Sequence, residues 1–175
     1  MFAALLAVAL APAAARCADQ ASKPRDQVVS GREIEEALAA KPRTRGITRG
    51  LVIKGAAEEK KEVVDLNIPF ELNSATLQPQ AVTQLEQLDT ALKSAALGRS
   101  RFMIAGHTDG RGNAEYNRQL SIRRAEAVKQ YLVAHGVAAG RLEATGFGMD
   151  KLLMPGDPQN GANRRVEITN LGEAP

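Results

Sequence analysis

Apolar and polar residues follow regular spacings over residues 63–171, and these spacings predict the secondary structure. Residues 63–70 alternate between the two classes at several positions, which favours a strand, and Pro69 limits it to an edge or a strand end. Leu77-Gln-Pro79 predicts a helix start, because proline suits the first helical position. Gly98 is expected to end this helix. Its predicted inward face consists of Val82, Leu85, Leu88 and Leu92.

The same order of strand and helix follows once more. Residues 101–106 predict a second strand, and residues 107–113 a loop with two glycines. A second helix is expected from about Asn117 or Ser121 to His135, and Gly136 follows as its stop. Its predicted inward residues are Ala125, Val128 and Leu132. Two further strands are predicted at 141–147 and 163–170. This β-α-β-α-β-β order predicts a two-layer α/β domain, although the order of strands within the sheet cannot be derived from it.

The N-terminal third has a different character. Residues 1–18 open with an apolar run that is shorter than the ~20 residues of a membrane-spanning helix and ends in small residues. They are expected to be a signal peptide or an apolar N-terminal segment, although the basic residues of a usual signal are missing. Residues 19–62 predict a polar, basic tether with a short helix at 34–40, and residues 46–55 could instead add an edge strand. Residues 172–175 are expected to form a short tail.

Charge separates the tether from the domain. The net charge is +3, and residues 37–57 hold five basic residues and no acidic one, whereas residues 63–171 hold twelve basic and eleven acidic residues. A basic run suits nucleic acid or an anionic wall or membrane. The chain has no tryptophan and few other aromatic residues, which disfavours a base-stacking surface. We therefore expect a solvated linker and no nucleic-acid partner, and membrane association through the N-terminus stays open.

Two charged residues stand where a small zwitterion could bind. Asp109 follows the second strand in a glycine-rich loop, and Arg124 falls in the first helical turn if Ser121 is the N-cap. A cation there opposes the helix dipole by ~0.3–1 kcal/mol unless an anion joins it. Asp109 could then hold an ammonium and Arg124 a carboxylate. The alternative is a direct Asp109–Arg124 salt bridge, and a helix start nearer Asn117 would weaken the dipole argument.

Enzyme interpretations find little support. His107 and Asp109 could share one side of a strand, but no third or fourth ligand completes a metal site, and Ser121 lacks the glycine-flanked turn of a hydrolase nucleophile. We expect no catalytic residues, no metal and no cofactor.

A longer pattern surrounds the two charged residues. The matching letters are Gly106-His-Thr-Asp109, Gly112, Tyr116-Asn117, Leu120-Ser121, Arg124-Ala125 and Asn163-Arg-Arg-Val-Glu167. This pattern resembles the OmpA-like C-terminal domain, the peptidoglycan-binding module of OmpA, Pal and MotB relatives. The resemblance covers roughly residues 63–171.

The resemblance implies roles for individual residues. Asp109 and Arg124 would hold the amino and carboxyl ends of diaminopimelate in the peptidoglycan stem peptide. The other residues implied to line or shape this site are Thr108, Asn117, Leu120, Asn73, Asn163 and Arg164. From the residues alone, and apart from the resemblance, Arg165 is most simply a strand residue that faces solvent, and His107 is most simply a loop anchor held by hydrogen bonds.

The resemblance also implies a cellular role. The chain would be exported to the periplasm, or to the periplasmic face of the outer membrane of a Gram-negative-type bacterium, and would anchor the envelope to its wall without catalysis. The alternative is a module of an oligomeric envelope complex, like a flagellar stator or a secretion system, and an outer-membrane or envelope protein partner and the oligomeric state stay open. Many relatives are lipoproteins, but Arg16 stands before Cys17 where a small residue is usual, which favours soluble export or a retained anchor over lipidation.

Overall fold

The computed structural model of the chain describes residues 28–39 and 62–173. These residues form three α-helices and four strands: α1 (Gly31–Ala39), β1 (Val63–Leu66), α2 (Pro79–Leu92), β2 (Ser100–His107), α3 (Ala114–Ala134), β3 (Leu142–Gly148) and β4 (Val166–Glu173). Two short 3-10 helices, Ala139–Arg141 and Gly161–Asn163, precede β3 and β4. The expected signal segment at 1–18, Cys17 and the alternative edge strand at 46–55 lie outside the described residues. Within the described ranges, no helix has both the length and the apolar character needed to cross a membrane.

The four strands form one open sheet in the order β1-β4-β2-β3. The last strand, β4, therefore lies between β1 and β2 and is antiparallel to both, whereas β2 and β3 are parallel. From β1 onward the chain has the predicted β-α-β-α-β-β order, which confirms the α/β class. Because β2 and β4 are antiparallel, the loop that follows β2 lies beside the residues that precede β4, and the His107 amide donates to the Arg165 carbonyl at 3.0 Å.

Helices pack their apolar stripes against one another and against the sheet. The sheet supplies buried Phe102, Ile104 and Ile168, and the predicted inward residues of α3 are all buried. On α2, Leu85, Leu88 and Leu92 are buried as predicted, but Val82 is 37% exposed and Ala81 is buried in its place. The buried stripe thus begins one residue earlier than predicted, because positions 81, 85, 88 and 92 follow the 3.6-residue period more closely than positions starting at 82.

One helix start agrees with the prediction and the other does not. α2 begins at Pro79, as predicted, after Gln78 in an extended conformation. It ends at Leu92, before the Gly98 that was expected to end it. α3 begins at Ala114, because the Asn113 side chain caps it by accepting a hydrogen bond from the Tyr116 amide at 3.0 Å. The predicted start at Asn117 or Ser121 was therefore too late. Ser121 is fully buried within α3, and its hydroxyl donates to the Arg118 carbonyl.

Helix α1, which lies in the segment expected to be a tether, packs against the rest of the domain. Ile34 and Leu38, one turn apart, are fully buried in the same core as α2 and β1. The Gln84 amide exchanges two hydrogen bonds with the backbone of Val29, at 2.8 and 3.1 Å, and the Asn170 amide donates to the Leu38 carbonyl at 2.8 Å. A short helix was predicted here, but the core extends to it, N-terminal of the boundary expected at residue 63.

Candidate functional site

A cleft of about 620 Å³ opens between the loop 70–78, the loop after β2 and the N-terminal half of α3. Of the eight site residues expected from the sequence, seven line it. They are Asn73, Thr108, Asp109, Asn117, Leu120, Arg124 and Arg164. The structure therefore brings together residues that are up to 91 positions apart, from Asn73 to Arg164.

Asp109 supplies the acidic group of the cleft and is held by its neighbours. Its carboxylate accepts a hydrogen bond from the Arg164 guanidinium at 2.8 Å and a longer one from the Arg111 amide at 3.3 Å. The Asp109 side chain is only 12% exposed, whereas that of Arg164 is 51% exposed. The direct Asp109–Arg124 salt bridge considered from the sequence is thus replaced by a pair with Arg164, which the antiparallel contact of β2 and β4 brings alongside.

Arg124 supplies a guanidinium that lacks a carboxylate partner within the described part of the chain. Its Nε donates to the Ser74 carbonyl at 2.9 Å, and its guanidinium carbon lies 4.9 Å from the centre of the Phe70 ring. Burial and the nearby Arg164 lower the pKa of Arg124 from its ordinary value. Because α3 begins at Ala114, Arg124 sits in the middle of the helix, so the helix-dipole argument made from the sequence is wrong. The charge of Asp109 opposes this lowering from a distance, but no carboxylate of the described residues lies within ion-pair distance of Arg124, and this is the reason to expect an anion.

Three residues build the floor of the cleft. Leu120 is 4% exposed, and Asn117, at 5%, donates from its amide to the Arg111 carbonyl at 2.6 Å, which ties the loop after β2 to α3. Thr108 is 3% exposed, and within the described residues its hydroxyl has no hydrogen-bond partner. A buried hydroxyl without a partner costs stability, so it is a candidate ligand contact.

Gly106, in the same motif, serves a different purpose. A Cβ at this position would lie 2.2 Å from the Ser121 carbonyl oxygen. Only glycine lets the end of β2 come this close to α3, and this approach sets the position of the loop that carries Asp109.

The loop 70–78 forms the opposite wall. Phe70 and Leu77 pair as an isolated β-bridge, and between them Asn73 adopts a φ of +52°, a left-handed conformation that asparagine tolerates better than most residues. The Asn73 carbonyl accepts from the Tyr116 hydroxyl at 3.4 Å. Tyr116 is 45% exposed and lines the cleft, so it is more than a packing residue.

Asn163 is the one expected site residue that does not line the cleft. It is fully buried, its oxygen accepts from the Met154 amide at 2.8 Å, and its nitrogen donates to the Asp157 and Pro158 carbonyls. Pro158 in turn accepts from the Gly110 amide at 2.7 Å. Asn163 therefore shapes the loop before β4, which braces the loop that carries Asp109.

Sequence reasoning missed other lining residues, among them Phe70, Glu71, Leu72, Gln78 and Arg111. The first four belong to the loop 70–78, whose path depends on where β1 lies in the sheet. Arg111 carried a usable signal, since it stands two residues after Asp109 in the same loop.

A second lobe of about 470 Å³ adjoins the cleft. The two lobes share Phe70, Arg124 and Arg164, and the second lobe is further lined by Asn67, Ile68, Pro69, His107, Gly161 and Arg165. The Arg165 side chain is 9% exposed and pairs with Asp65 at 2.8 Å. Arg165 therefore does not face solvent as expected from the sequence.

His107 is buried beside this second lobe, where its Nε2 lies 3.5 Å from Glu167. This contact and the positive charge of Arg165 lower the pKa of Glu167, whereas burial of the carboxylate opposes the shift. The hydrogen bond expected of a loop anchor comes from the backbone amide of His107, which donates to the Arg165 carbonyl, whereas its ring contacts Glu167.

Comparisons with known proteins show which family the chain resembles. A family model described as the OmpA family matches residues 69–165. A peptidoglycan-associated lipoprotein of Pseudomonas aeruginosa is 42% identical over 57% of this chain and 58% of its own length. A peptidoglycan-associated lipoprotein of Pseudomonas putida is 37% identical over 70% of this chain and 74% of its own length.

Among solved structures, a putative MotB-like protein from Desulfovibrio vulgaris superposes with a TM-score of 0.57 at 25% identity, covering 67% of this chain and 77% of that one. The chain spans under two thirds of the P. aeruginosa lipoprotein, so whole-protein activities do not transfer directly. The relatives are named as peptidoglycan-associated and outer-membrane proteins, which confirms the predicted location in a Gram-negative-type envelope. With the family model covering more than half of its residues and the P. putida protein matched over most of its length, the chain belongs to the OmpA family.

Proposed function

We propose that this chain binds peptidoglycan without catalysis, by gripping the zwitterionic end of diaminopimelate in the stem peptide, and so anchors the envelope to the wall. The observation that carries the proposal is Arg124, a partly buried guanidinium that has no carboxylate partner in the described part of the chain and lies in one cleft with Asp109.

The contacts of Arg124 leave its ligand-binding edge free. Its Nε donates to the Ser74 carbonyl, and the guanidinium carbon lies over the Phe70 ring. The two terminal nitrogens then form a fork suited to the two oxygens of one carboxylate. Neither Ser74 nor Phe70 carries a charge, so a bound carboxylate would supply the missing counter-ion in a desolvated site, where charge pairs are strong.

Asp109 supplies the complementary group. It is fixed by the loop after β2 and faces the same cleft, where a ligand ammonium could replace the exposed Arg164 as its partner. Diaminopimelate carries an ammonium and a carboxylate on one carbon at the end of its side chain, whereas lysine carries only the ammonium. A lysine-type stem peptide would therefore leave Arg124 unpaired, which costs affinity.

Co-sedimentation of the protein with purified sacculi tests the proposal. Arg124→Gln and Asp109→Asn should each reduce binding to diaminopimelate-type walls by at least about tenfold, since each loses a charge-assisted bond. Arg123→Gln is the matched control, because Arg123 is exposed next to Arg124 on α3. Equal binding to lysine-type walls, or equal loss in the Arg123 variant, would refute the assignment.

The second candidate is a module of an oligomeric envelope complex, favoured by the likeness to the MotB-like structure. It predicts a defined dimer or larger assembly in light scattering after gel filtration. A monomer that still binds sacculi supports simple anchoring.

A further inference from the structure

Arg164 stands at the junction of the two lobes and is shared by both. We propose that Arg164 acts as a latch: it pairs with Asp109 as seen here, yields this position to the ligand's ammonium, and then binds a second carboxylate of the same ligand in the second lobe. This inference rests on the proposed function and extends it to the class of stem peptide that the site selects.

The charge of the cleft supports a ligand with two carboxylates. Its lining holds two acidic residues, Glu71 and Asp109, against three arginines at 111, 124 and 164, so the lining carries one excess positive charge. A zwitterionic group is neutral and would leave this excess. A ligand with one ammonium and two carboxylates would cancel it. Arg165 does not alter the count, since it is already paired with Asp65.

Exposure decides which member of the Asp109–Arg164 pair moves. The Asp109 side chain is 12% exposed and is held by the loop backbone, whereas the Arg164 side chain is 51% exposed and can rotate at little cost. Gly161 leaves room beside it, because a Cβ there would lie 3.0 Å from an Arg164 terminal nitrogen. An incoming ammonium therefore displaces the arginine and leaves the aspartate in place.

The second lobe provides the place for the released guanidinium and its new partner. Arg124 and Arg164 line both lobes, so one ligand can reach the two guanidinium groups, and repulsion from Arg164 adds to burial in lowering the pKa of Arg124. The wall of the lobe also includes His107, whose Nδ1 has no hydrogen-bond partner in the described residues. A carboxylate in this lobe would thus meet a cation that the first binding event has just freed.

The ligand chemistry follows from this exchange. In a stem peptide that ends in diaminopimelate, the side-chain end supplies the ammonium and the first carboxylate, and the acylated centre supplies the second carboxylate. Amide formation at that centre removes the group that Arg164 would bind. The latch therefore predicts that the site prefers stems whose diaminopimelate keeps both carboxylates free.

Calorimetric titration of the full chain with two small probes tests the latch. The first probe is Nα-acetyl-meso-diaminopimelate, with one ammonium and two carboxylates, and the second is its carboxamide at the acetylated centre. The parent protein should bind the first about tenfold more tightly than the second, as expected for one charge-assisted contact. Arg164→Gln should lose this preference, and should bind the carboxamide at least as tightly as the parent, because the competing ion pair with Asp109 is gone. Arg123→Gln should behave as the parent.

The outcomes separate the latch from the proposed function. If the parent binds both probes equally, or if Arg164→Gln keeps the preference, the latch is wrong and diaminopimelate recognition stands. If Arg164→Gln weakens both probes to the same extent, Arg164 is an ordinary binding residue and the latch is again wrong. If the parent binds neither probe, the proposed function fails and the latch fails with it.

Discussion

The most direct test of the fold concerns α1, where Leu38→Ala removes a fully buried side chain. Leu38 packs with Ile34 in the core next to α2, and neither side chain is exposed. Replacing a buried leucine by alanine costs about 2–5 kcal/mol, the sum of lost burial and the cavity left behind. We expect about 2–3 kcal/mol here, the low end, because a nine-residue helix held by two large apolar side chains and a few hydrogen bonds can detach before it bears a larger cost.

Detachment also sets a ceiling on the effect. Once α1 has undocked, further changes on its buried face cost nothing more. The double variant Ile34→Ala/Leu38→Ala should therefore destabilise the protein by less than the sum of the two single variants.

Urea unfolding followed by circular dichroism measures these differences. Glu36→Ala is the control, since Glu36 is exposed on the same helix and should change stability by less than about 0.5 kcal/mol. If Leu38→Ala also stays within about 0.5 kcal/mol of the parent, α1 adds no net stability, and the tether inferred from the sequence describes this segment better.

Three further predictions concern the site and its supports. Gly106→Ala should lower the free energy of unfolding by at least about 3 kcal/mol, measured by heat or urea, because its methyl group would overlap a backbone carbonyl of α3. Gly140→Ala is the control, since a methyl group there meets open space and should be near neutral. Similar stabilities of the two variants would refute the close approach. The lowered pKa of Glu167 adds stability that is complete above its ordinary pKa of 4.5 and is lost as the pH falls through the pKa of the folded state. Glu167→Gln should therefore reduce the loss of stability at acid pH. An unchanged dependence of stability on acid pH would show that the contact with His107 is not stabilising. Arg124→Lys should fail to restore sacculus binding, since a point charge cannot replace a two-pronged contact, and binding within twofold or so of the parent would contradict the fork.

The sequence predicted the order of the elements because the strongest patterns are local. Pro79 marks the start of α2, and the apolar residues of α3 repeat with the helical period. The start of α3 was missed because its first turn is mostly exposed and polar, so no apolar spacing announces it, and the cap residue Asn113 stands inside what looks like a loop. The packing of α1 was missed because only two large apolar residues stand among its nine positions, although these two lie one turn apart and form a buried stripe.

The sequence predicted which residues lie in the candidate site, but it did not predict which of them pair with one another. Motif letters identified seven residues that line the cleft, yet the ion pair between Asp109 and Arg164 depends on β4 lying beside β2, and sheet order is a long-range property. The same limit explains why Asn163 was expected in the cleft when it instead holds the loop before β4. Its place in the motif could not show whether Asn163 lines the cleft or holds a neighbouring loop in position.

The central place of β4 has a consequence for folding. The strand that joins β1 to β2 is the last one made, so the pairing of β1 must wait for residues about 100 positions further along the chain. Contacts between residues so distant in sequence form slowly, because a long loop must close before they can form. A chain that emerges N-terminus first, from a ribosome or through a membrane pore, can form α3 and β2 early but cannot complete the sheet. The candidate cleft, which needs Arg164 from just before β4, forms only when the final strand has been added.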